Sequence, residues 1–97
     1  MSFTVVEFEP TPNPNALKCR LDRRICAGTR SYLRPELGAD DPVAGPLFAI
    51  DGVTAVMLCQ DFVTVNKAPD AKWAAIKRRV KSTLASIDGH EFEGGAF

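Results

Sequence analysis

The sequence has 97 residues, the size of one compact domain, with 45% hydrophobic residues, 25% charged residues and a formal net charge of zero. This composition excludes a disordered chain, and the balanced charge gives no overall attraction to nucleic acid or to an anionic membrane. No apolar run reaches the roughly 18 residues that a membrane-spanning helix needs. We therefore expect a folded protein with neither a nucleic-acid nor a membrane partner.

The N-terminus and the cysteines indicate the cellular compartment. Residues 1–13 have no basic segment ahead of an apolar stretch, which an export signal would show. The three cysteines, Cys19, Cys26 and Cys59, are odd in number and form no close pair, which fits a reducing compartment better than a disulfide framework. We expect a cytoplasmic protein.

The N-terminal part of the chain predicts two strands joined by a turn. β-branched and aromatic residues predict a strand over residues 3–8. The sequence TPNPN at residues 11–15 predicts an ordered turn, because its prolines restrict the backbone and its asparagine side chains can bond nearby backbone groups. Residues 16–21 alternate between apolar and basic side chains, which predicts a half-buried strand.

The middle of the chain has a weaker pattern. Residues 22–40 predict a long connection with room for one short edge strand. Asp41 followed by Pro42 is typical of a helix start, with Asp41 as the N-cap. Because Pro46 would clash inside a longer helix, we expect a short helix that begins near Gly45 or Pro46.

The C-terminal part predicts a hairpin and then a long helix. Residues 53–58 and 62–66 read as two strands joined by a tight turn. Apolar residues then recur at helical spacing, with Asp70 as the expected N-cap and Gly89 as the expected C-cap. Trp73 begins this apolar stripe, and we expect it to anchor the helix against the sheet.

The order of these elements predicts an α+β fold. It is a two-layer α/β sandwich in which two helices lie on one face of a mainly antiparallel sheet, in the order ββαββα. We expect the domain to cover residues 1–89. Residues 90–97 contain consecutive glycines and are expected to form a flexible tail.

Several short segments match a known pattern when they are taken together. They are TPNPN with Leu17-Lys18, Leu47-Phe48 with Ile50, Gly52-Val53, the strand DFVTV with Lys67, and Trp73. At this spacing they resemble the N-terminal domain of Nfu/NifU-type iron–sulfur scaffold proteins, over roughly residues 3 to 88.

The resemblance implies a role without cluster chemistry in this chain. In that family the fuller proteins carry a second domain whose C-x-x-C pair holds an iron–sulfur cluster and hands it to apo-proteins. No C-x-x-C occurs here, so the cluster ligands cannot be carried over to any residue. The resemblance implies an accessory, non-enzymatic protein-interaction domain without a cofactor. The expected partners are an iron–sulfur scaffold or a client apo-protein, and we expect a monomer.

Two other functions remain open from the residues alone. One is a regulatory or ligand-binding α/β domain unrelated to iron–sulfur work. The other is a small metal-binding protein that uses Cys26 and Cys59, although these lie far apart in sequence. Cys19 alternates with Leu17 and Leu21 and is expected in the core. No nucleophile–base spacing or phosphate-binding loop occurs, so we expect no enzyme.

Six polar residues are candidates for contacts with a partner: Asn13, Asn15, Lys18, Arg20, Lys77 and Arg78. The two asparagines lie in the TPNPN turn, whose first expected role is to set the angle between the first two strands. The four basic residues belong to two separate blocks of the sequence. If the blocks meet in the fold, they would present a salt-sensitive patch to an acidic client.

Overall fold

The computed structural model describes residues 3–87. Its elements are β1 (Val5–Pro10), β2 (Ala16–Leu21), β3 (Thr29–Tyr32), α1 (Pro35–Gly38), α2 (Ala44–Phe48), β4 (Val53–Cys59), β5 (Phe62–Lys67) and α3 (Trp73–Ser86). The strands form one five-stranded antiparallel sheet in the order β1-β2-β5-β4-β3. The predicted α+β sandwich is confirmed, and the connection predicted at residues 22–40 contains both the short edge strand β3 and the helix α1.

The alternation of apolar residues determines which face of the sheet is buried. Val63 and Val65 of β5 are fully buried, and the register sets them beside Cys19 and Leu17 of β2. Because side chains alternate along a strand, a shift by one residue would turn these groups to the other face. The helices cover this apolar face, and the opposite face of the sheet has no helix within residues 3–87.

The start of α3 differs from the prediction. The N-cap is Lys72, without a side-chain cap hydrogen bond, so the assignment of Asp70 as N-cap is wrong. Residues 68–71 form a turn in which the Ala71 N–H donates to the Ala68 carbonyl, and the helix begins only after that turn. The predicted C-cap Gly89 and the predicted tail 90–97 lie outside the described residues.

The apolar stripe of α3 faces the sheet, as predicted. Ile76, Val80 and Leu84 are buried in the core, while Trp73 and Ile87 pack against it from the two ends of the helix. Three consecutive turns of the helix therefore contribute one buried side chain each, as expected for an amphipathic helix on a sheet.

The helix α2 begins at Ala44, one residue before the predicted range. The N-cap is Val43, so the assignment of Asp41 as N-cap, with Pro42 as the first helical residue, is wrong. The Asp41 side chain still supports the start of the helix, because its Oδ1 atom accepts hydrogen bonds from the N–H groups of Val43 (2.8 Å) and Ala44 (3.0 Å). Pro46 is tolerated because it lies in the first turn, where backbone N–H groups have no partner within the helix.

The same carboxylate ties the edge strand β3 to α2. The Oδ2 atom of Asp41 accepts a 2.7 Å hydrogen bond from the Tyr32 hydroxyl and lies 3.2 Å from Nη1 of Arg30. The Asp41 side chain is only 2% exposed. Its hydrogen bond raises the pKa of Tyr32, because an ionised phenol would face the carboxylate. The buried Asp41 carboxylate therefore links β3 to the start of α2, a contact that the apolar pattern of the sequence does not predict.

We expect replacement of Asp41 by alanine to lower the free energy of unfolding by about 3 kcal/mol. The change removes the acceptor of two N–H groups at the start of α2 and takes the carboxylate away from Arg30. Tyr32→Phe is the matched control, because it removes only one hydrogen bond and should cost about 1 kcal/mol. Urea unfolding followed by circular dichroism measures both. Equal losses in the two variants would contradict the central role of the carboxylate.

Candidate interaction surface

The TPNPN turn uses its own side chains to hold its shape. The Thr11 hydroxyl lies 2.9 Å from the Asn13 carbonyl and accepts the Asn13 N–H at 3.1 Å. The Asn13 amide oxygen accepts the N–H of Asn15 at 2.9 Å, and the Ala16 N–H donates to the Asn13 carbonyl at 3.0 Å. The turn is therefore an ordered platform between β1 and β2, in keeping with its expected structural role.

Contacts from distant parts of the chain dock this turn onto β5 and α3. The Lys67 ammonium donates to the Asn15 amide oxygen at 3.0 Å, and the Lys67 N–H donates to the Asn15 carbonyl at 2.8 Å. The indole N–H of Trp73 donates to the Pro14 carbonyl at 3.0 Å. Three of the segments named in the family resemblance, the TPNPN turn, Lys67 and Trp73, thus meet in space.

Lys67 is the buried charge at the centre of this arrangement. It is 8% exposed, and its ammonium also lies within hydrogen-bond distance of the carbonyls of Ala68 (3.3 Å) and Pro69 (3.4 Å). Together with Asn15, these oxygens match the three donors of an ammonium group. The ammonium also stands 5.6 Å from the ring centre of Trp73. Lys67 therefore holds the turn in place and has no donor left over for a ligand.

Trp73 does more than the predicted packing against the sheet. The side chain is half-buried and lies against the edge of the core. Its indole N–H, however, bonds the TPNPN turn. The anchor of α3 is therefore the turn between the first two strands as well as the apolar core.

Lys18 and Arg20 lie on the face of the sheet that the helices leave uncovered. Arg20 is 3.3 Å from Glu9 and 3.6 Å from Glu7, and Lys18 is 4.0 Å from Glu9. The Lys18 ammonium also stands 4.2 Å from the ring centre of Phe62. Neighbouring groups of β1 and β5 thus neutralise or shield both charges.

Lys77 and Arg78 lie on the other side of the molecule, on α3. The Lys77 ammonium is 5.5 Å from the ring centre of Phe8, which is paired with the buried Cys19 and so shares the helix-covered face. Arg78 is exposed. The fold does not bring the two basic blocks together, so Lys18 and Arg20 do not share one patch with Lys77 and Arg78.

The outer side of α3 carries five basic residues. They are Lys72 at the N-cap and Lys77, Arg78, Arg79 and Lys81 within the helix, which contains no acidic residue. Within residues 3–87 none of the five forms an ion pair, whereas Lys18 and Arg20 do. Like charges four positions apart repel along a helix, as with Lys77 and Lys81. We call these five residues the basic face. In the sequence it is recognisable from the run KRRVK at residues 77–81.

The three cysteine thiols do not form a ligand set for a cluster. Cys19 is fully buried, and burial raises its pKa to about 12, so the thiolate that binds iron is disfavoured. Cys26 is also buried, although its N–H reaches the Gln60 carbonyl beside Cys59. Cys59 is half-buried on the uncovered face and accepts a hydrogen bond from the Thr29 hydroxyl at 3.3 Å.

Metal-binding groups of other kinds are also lacking in the part of the chain that the structure describes. Residues 3–87 contain no group of three or more histidine, cysteine, aspartate or glutamate side chains placed to hold a metal ion. The fold brings the loop at Cys26 next to the hairpin turn after Cys59. It nevertheless directs the first thiol into the core and the second to the opposite face of the sheet.

Comparison with known proteins gives one consistent family. Residues 6–88 match the family model described as "Scaffold protein Nfu/NifU N terminal". A NifU-like protein of Schizosaccharomyces pombe is 35% identical over 82 residues, which are 81% of this chain and 32% of that protein. A mitochondrial NFU1 iron-sulfur cluster scaffold homolog of Drosophila persimilis is 34% identical over 81 residues, which are 81% of this chain and 29% of that protein.

A solved structure shows the same fold. The solution structure of a NifU-like protein from Saccharomyces cerevisiae aligns with a TM-score of 0.74 over 87% of this chain and 76% of that chain, at 24% identity. The chain spans only about a third of the two curated relatives' length. Within residues 3–87 no helix is long and apolar enough to cross a membrane. The expected cytoplasmic location stays a prediction, since one relative is named as mitochondrial.

We expect Trp73→Phe to lower the free energy of unfolding by about 1 kcal/mol, because it removes the hydrogen bond to Pro14 and keeps most of the packing. Trp73→Ala should cost about 3 kcal/mol, since it also removes the half-buried ring. Denaturant unfolding measures both changes, and amide hydrogen exchange at Asn15 reports on the turn. Exchange at Asn15 that stays as slow as in the parent would contradict the docking of the turn by Trp73.

A second expectation is that the purified chain does not retain an iron–sulfur cluster after anaerobic reconstitution with iron and sulfide. A stable cluster needs about four thiolates. Of the three thiols here, those of Cys19 and Cys26 lie in the core and that of Cys59 lies on the uncovered face of the sheet. Visible absorption after desalting is the measurement. A band that survives desalting and disappears in a Cys26→Ser/Cys59→Ser variant would revive the metal-binding alternative.

Proposed function

The chain belongs to the Nfu/NifU N-terminal domain family, as its sequence pattern predicted, and we propose that it is a non-enzymatic protein-interaction domain in iron–sulfur cluster assembly or delivery. The observation that carries the proposal is the family match, which spans residues 6–88 and so includes the TPNPN turn, Lys67 and the whole of α3. The cluster itself would be borne by a separate scaffold, because the thiols of this chain do not form a ligand set.

The basic face is the surface that favours contact with a partner. Within residues 3–87 its charges form no ion pair, so a partner's carboxylates would not have to displace one there. Lys18 and Arg20 are already paired with glutamates and offer less. Because Lys18 and Arg20 are paired with glutamates, we place the contact with the partner at Lys77 and Arg78 and not at Lys18 and Arg20.

The rigidity of α3 supports the same proposal. Trp73 is bonded to the TPNPN turn, and Ile76, Val80 and Leu84 are buried, so the start and the inner side of the helix are fixed. A surface that is ordered before binding loses less entropy when the complex forms. In this proposal Asn13 and Asn15 contribute indirectly, through the turn that supports α3.

Affinity capture from a native lysate, read by quantitative mass spectrometry, tests this function. We expect cluster-bearing scaffold proteins or iron–sulfur apo-proteins to be enriched. The enrichment should fall by about tenfold in a Lys77→Glu/Arg78→Glu variant and with added salt, because the contact is electrostatic.

Lys18→Glu/Arg20→Glu is the matched control, since it changes the net charge equally on the opposite face of the sheet. Thermal unfolding of both variants shows that each is folded. Equal losses in the two variants would remove the basic face from the proposal. Capture without any scaffold or iron–sulfur protein would favour the alternative of a regulatory or ligand-binding domain.

A further inference from the structure

A groove runs between α2 and α3 on the surface of the helical layer. It consists of a cavity of about 200 Å³ toward Pro46 and Thr83 and a cavity of about 340 Å³ toward Asp51 and Ala75. Both cavities are lined by Ile50 and by Arg79. The two cavities therefore adjoin at these residues and form one elongated groove.

The floor of the groove is apolar, and small side chains line both of its sides. Ile50 is 5% exposed and Ile76 is 2% exposed, so both present little more than the tops of their side chains. Ala49 on one side and Ala75 on the other are small and exposed. Small side chains at the rim allow an extended backbone to approach closely, and the apolar floor suits an aliphatic side chain.

The charges in the groove are separated by sign. Arg79 stands where the two cavities meet, while Asp51 and Asp70 line the end near the start of α3, together with Lys72. All four are exposed, and none forms an ion pair within residues 3–87. The two carboxylates outnumber the one lysine at that end, so the groove is acidic at one end and basic at its centre.

We propose that this groove binds an extended segment of a partner protein whose acidic side chain pairs with Arg79. An aliphatic side chain of the segment lies over Ile50 and Ile76, and a basic side chain faces Asp51 and Asp70. This inference rests on the proposed function and states the chemistry of the partner. A guanidinium group favours a carboxylate because it can donate two parallel hydrogen bonds.

The length of the groove sets the spacing of the two charges in the partner. Lys72 and Arg79 are separated by about 10 Å along the axis of α3, given a rise of roughly 1.5 Å per residue. An extended chain covers this distance in about three residues, but its side chains alternate between two faces, so the next suitable side chain on the same face lies four positions away. The partner segment thus has a basic residue four positions from an acidic one, with an aliphatic residue midway between them on the same face.

A blocked synthetic peptide with lysine and glutamate four positions apart and leucine midway between them is the probe. We expect titration into the ¹⁵N-labelled full chain to shift the backbone amides of Ile50, Ala75 and Thr83. Arg79→Gln should weaken binding about tenfold, and a peptide with glutamine in place of glutamate should show the same loss. Arg24→Gln is the matched control, because it removes the same charge from an exposed arginine outside both the groove and the basic face, and it should change the affinity less than about twofold.

Three outcomes overturn the groove. They are shifts confined to other surfaces, no binding of the peptide, and equal weakening by Arg79→Gln and Arg24→Gln, which would indicate a general attraction to positive charge. Analytical ultracentrifugation tests a second copy as the occupant: self-association that Arg79→Gln abolishes would also overturn a partner segment.

The lysate capture separates this inference from the proposed function. If scaffold proteins are captured equally by the parent and by Arg79→Gln, the proposal that the groove binds the partner is wrong and the proposed function stands. If the peptide binds with the expected dependence on Arg79 and no iron–sulfur protein is captured, the groove stands and the iron–sulfur role is wrong.

Discussion

The buried ammonium of Lys67 is the interaction on which the arrangement of this domain depends. It binds the Asn15 amide oxygen and reaches the carbonyls of Ala68 and Pro69, so it joins the TPNPN turn to the end of β5 and to the approach to α3. A buried charge is tolerated only when its hydrogen bonds are satisfied, so any other position of the turn would leave this cation uncompensated. Trp73 adds a second link between the same segments.

A second buried charge organises the β3 edge of the sheet. Asp41 binds two backbone N–H groups at the start of α2 and also binds Tyr32 and Arg30 of the edge strand β3. The contacts of Lys67 and of Asp41 form two polar joints beside the apolar core. The core supplies most of the driving force for folding, since burial of apolar surface is its largest favourable term. The joints determine which loops and helix ends meet, because hydrogen bonds have direction and apolar contacts do not.

The distribution of charge over the two outer surfaces bears on function. The uncovered face of the sheet pairs its basic residues with glutamates of β1, whereas the basic face of α3 forms no ion pair within residues 3–87. An unpaired set of like charges reduces the stability of the helix that carries it. A partner with complementary charge would offset this cost, which is why α3 is more informative about binding than the sheet. The groove beside Arg79 adds an apolar floor and a defined direction to that surface.

The sequence by itself determined the strands, the buried face of the sheet, the apolar stripe of α3 and a short helix after Asp41, although the N-cap of that helix is Val43. These features rest on local alternation, helical spacing and side chains that bond their own neighbourhood. Local patterns could not identify α1, a helix of four residues, or the start of α3, where a turn after Pro69 delays the helix past Asp70.

Only the tertiary structure decided which distant groups meet. Strand register placed Lys18 and Lys77 on opposite sides of the sheet, and the packing of α3 gave Trp73 its partner at Pro14. The same packing left Arg79 between two cavities. The physical reason is that contacts between residues far apart in sequence depend on how the elements pair and cross, and the pattern within a single element carries no information about its neighbour.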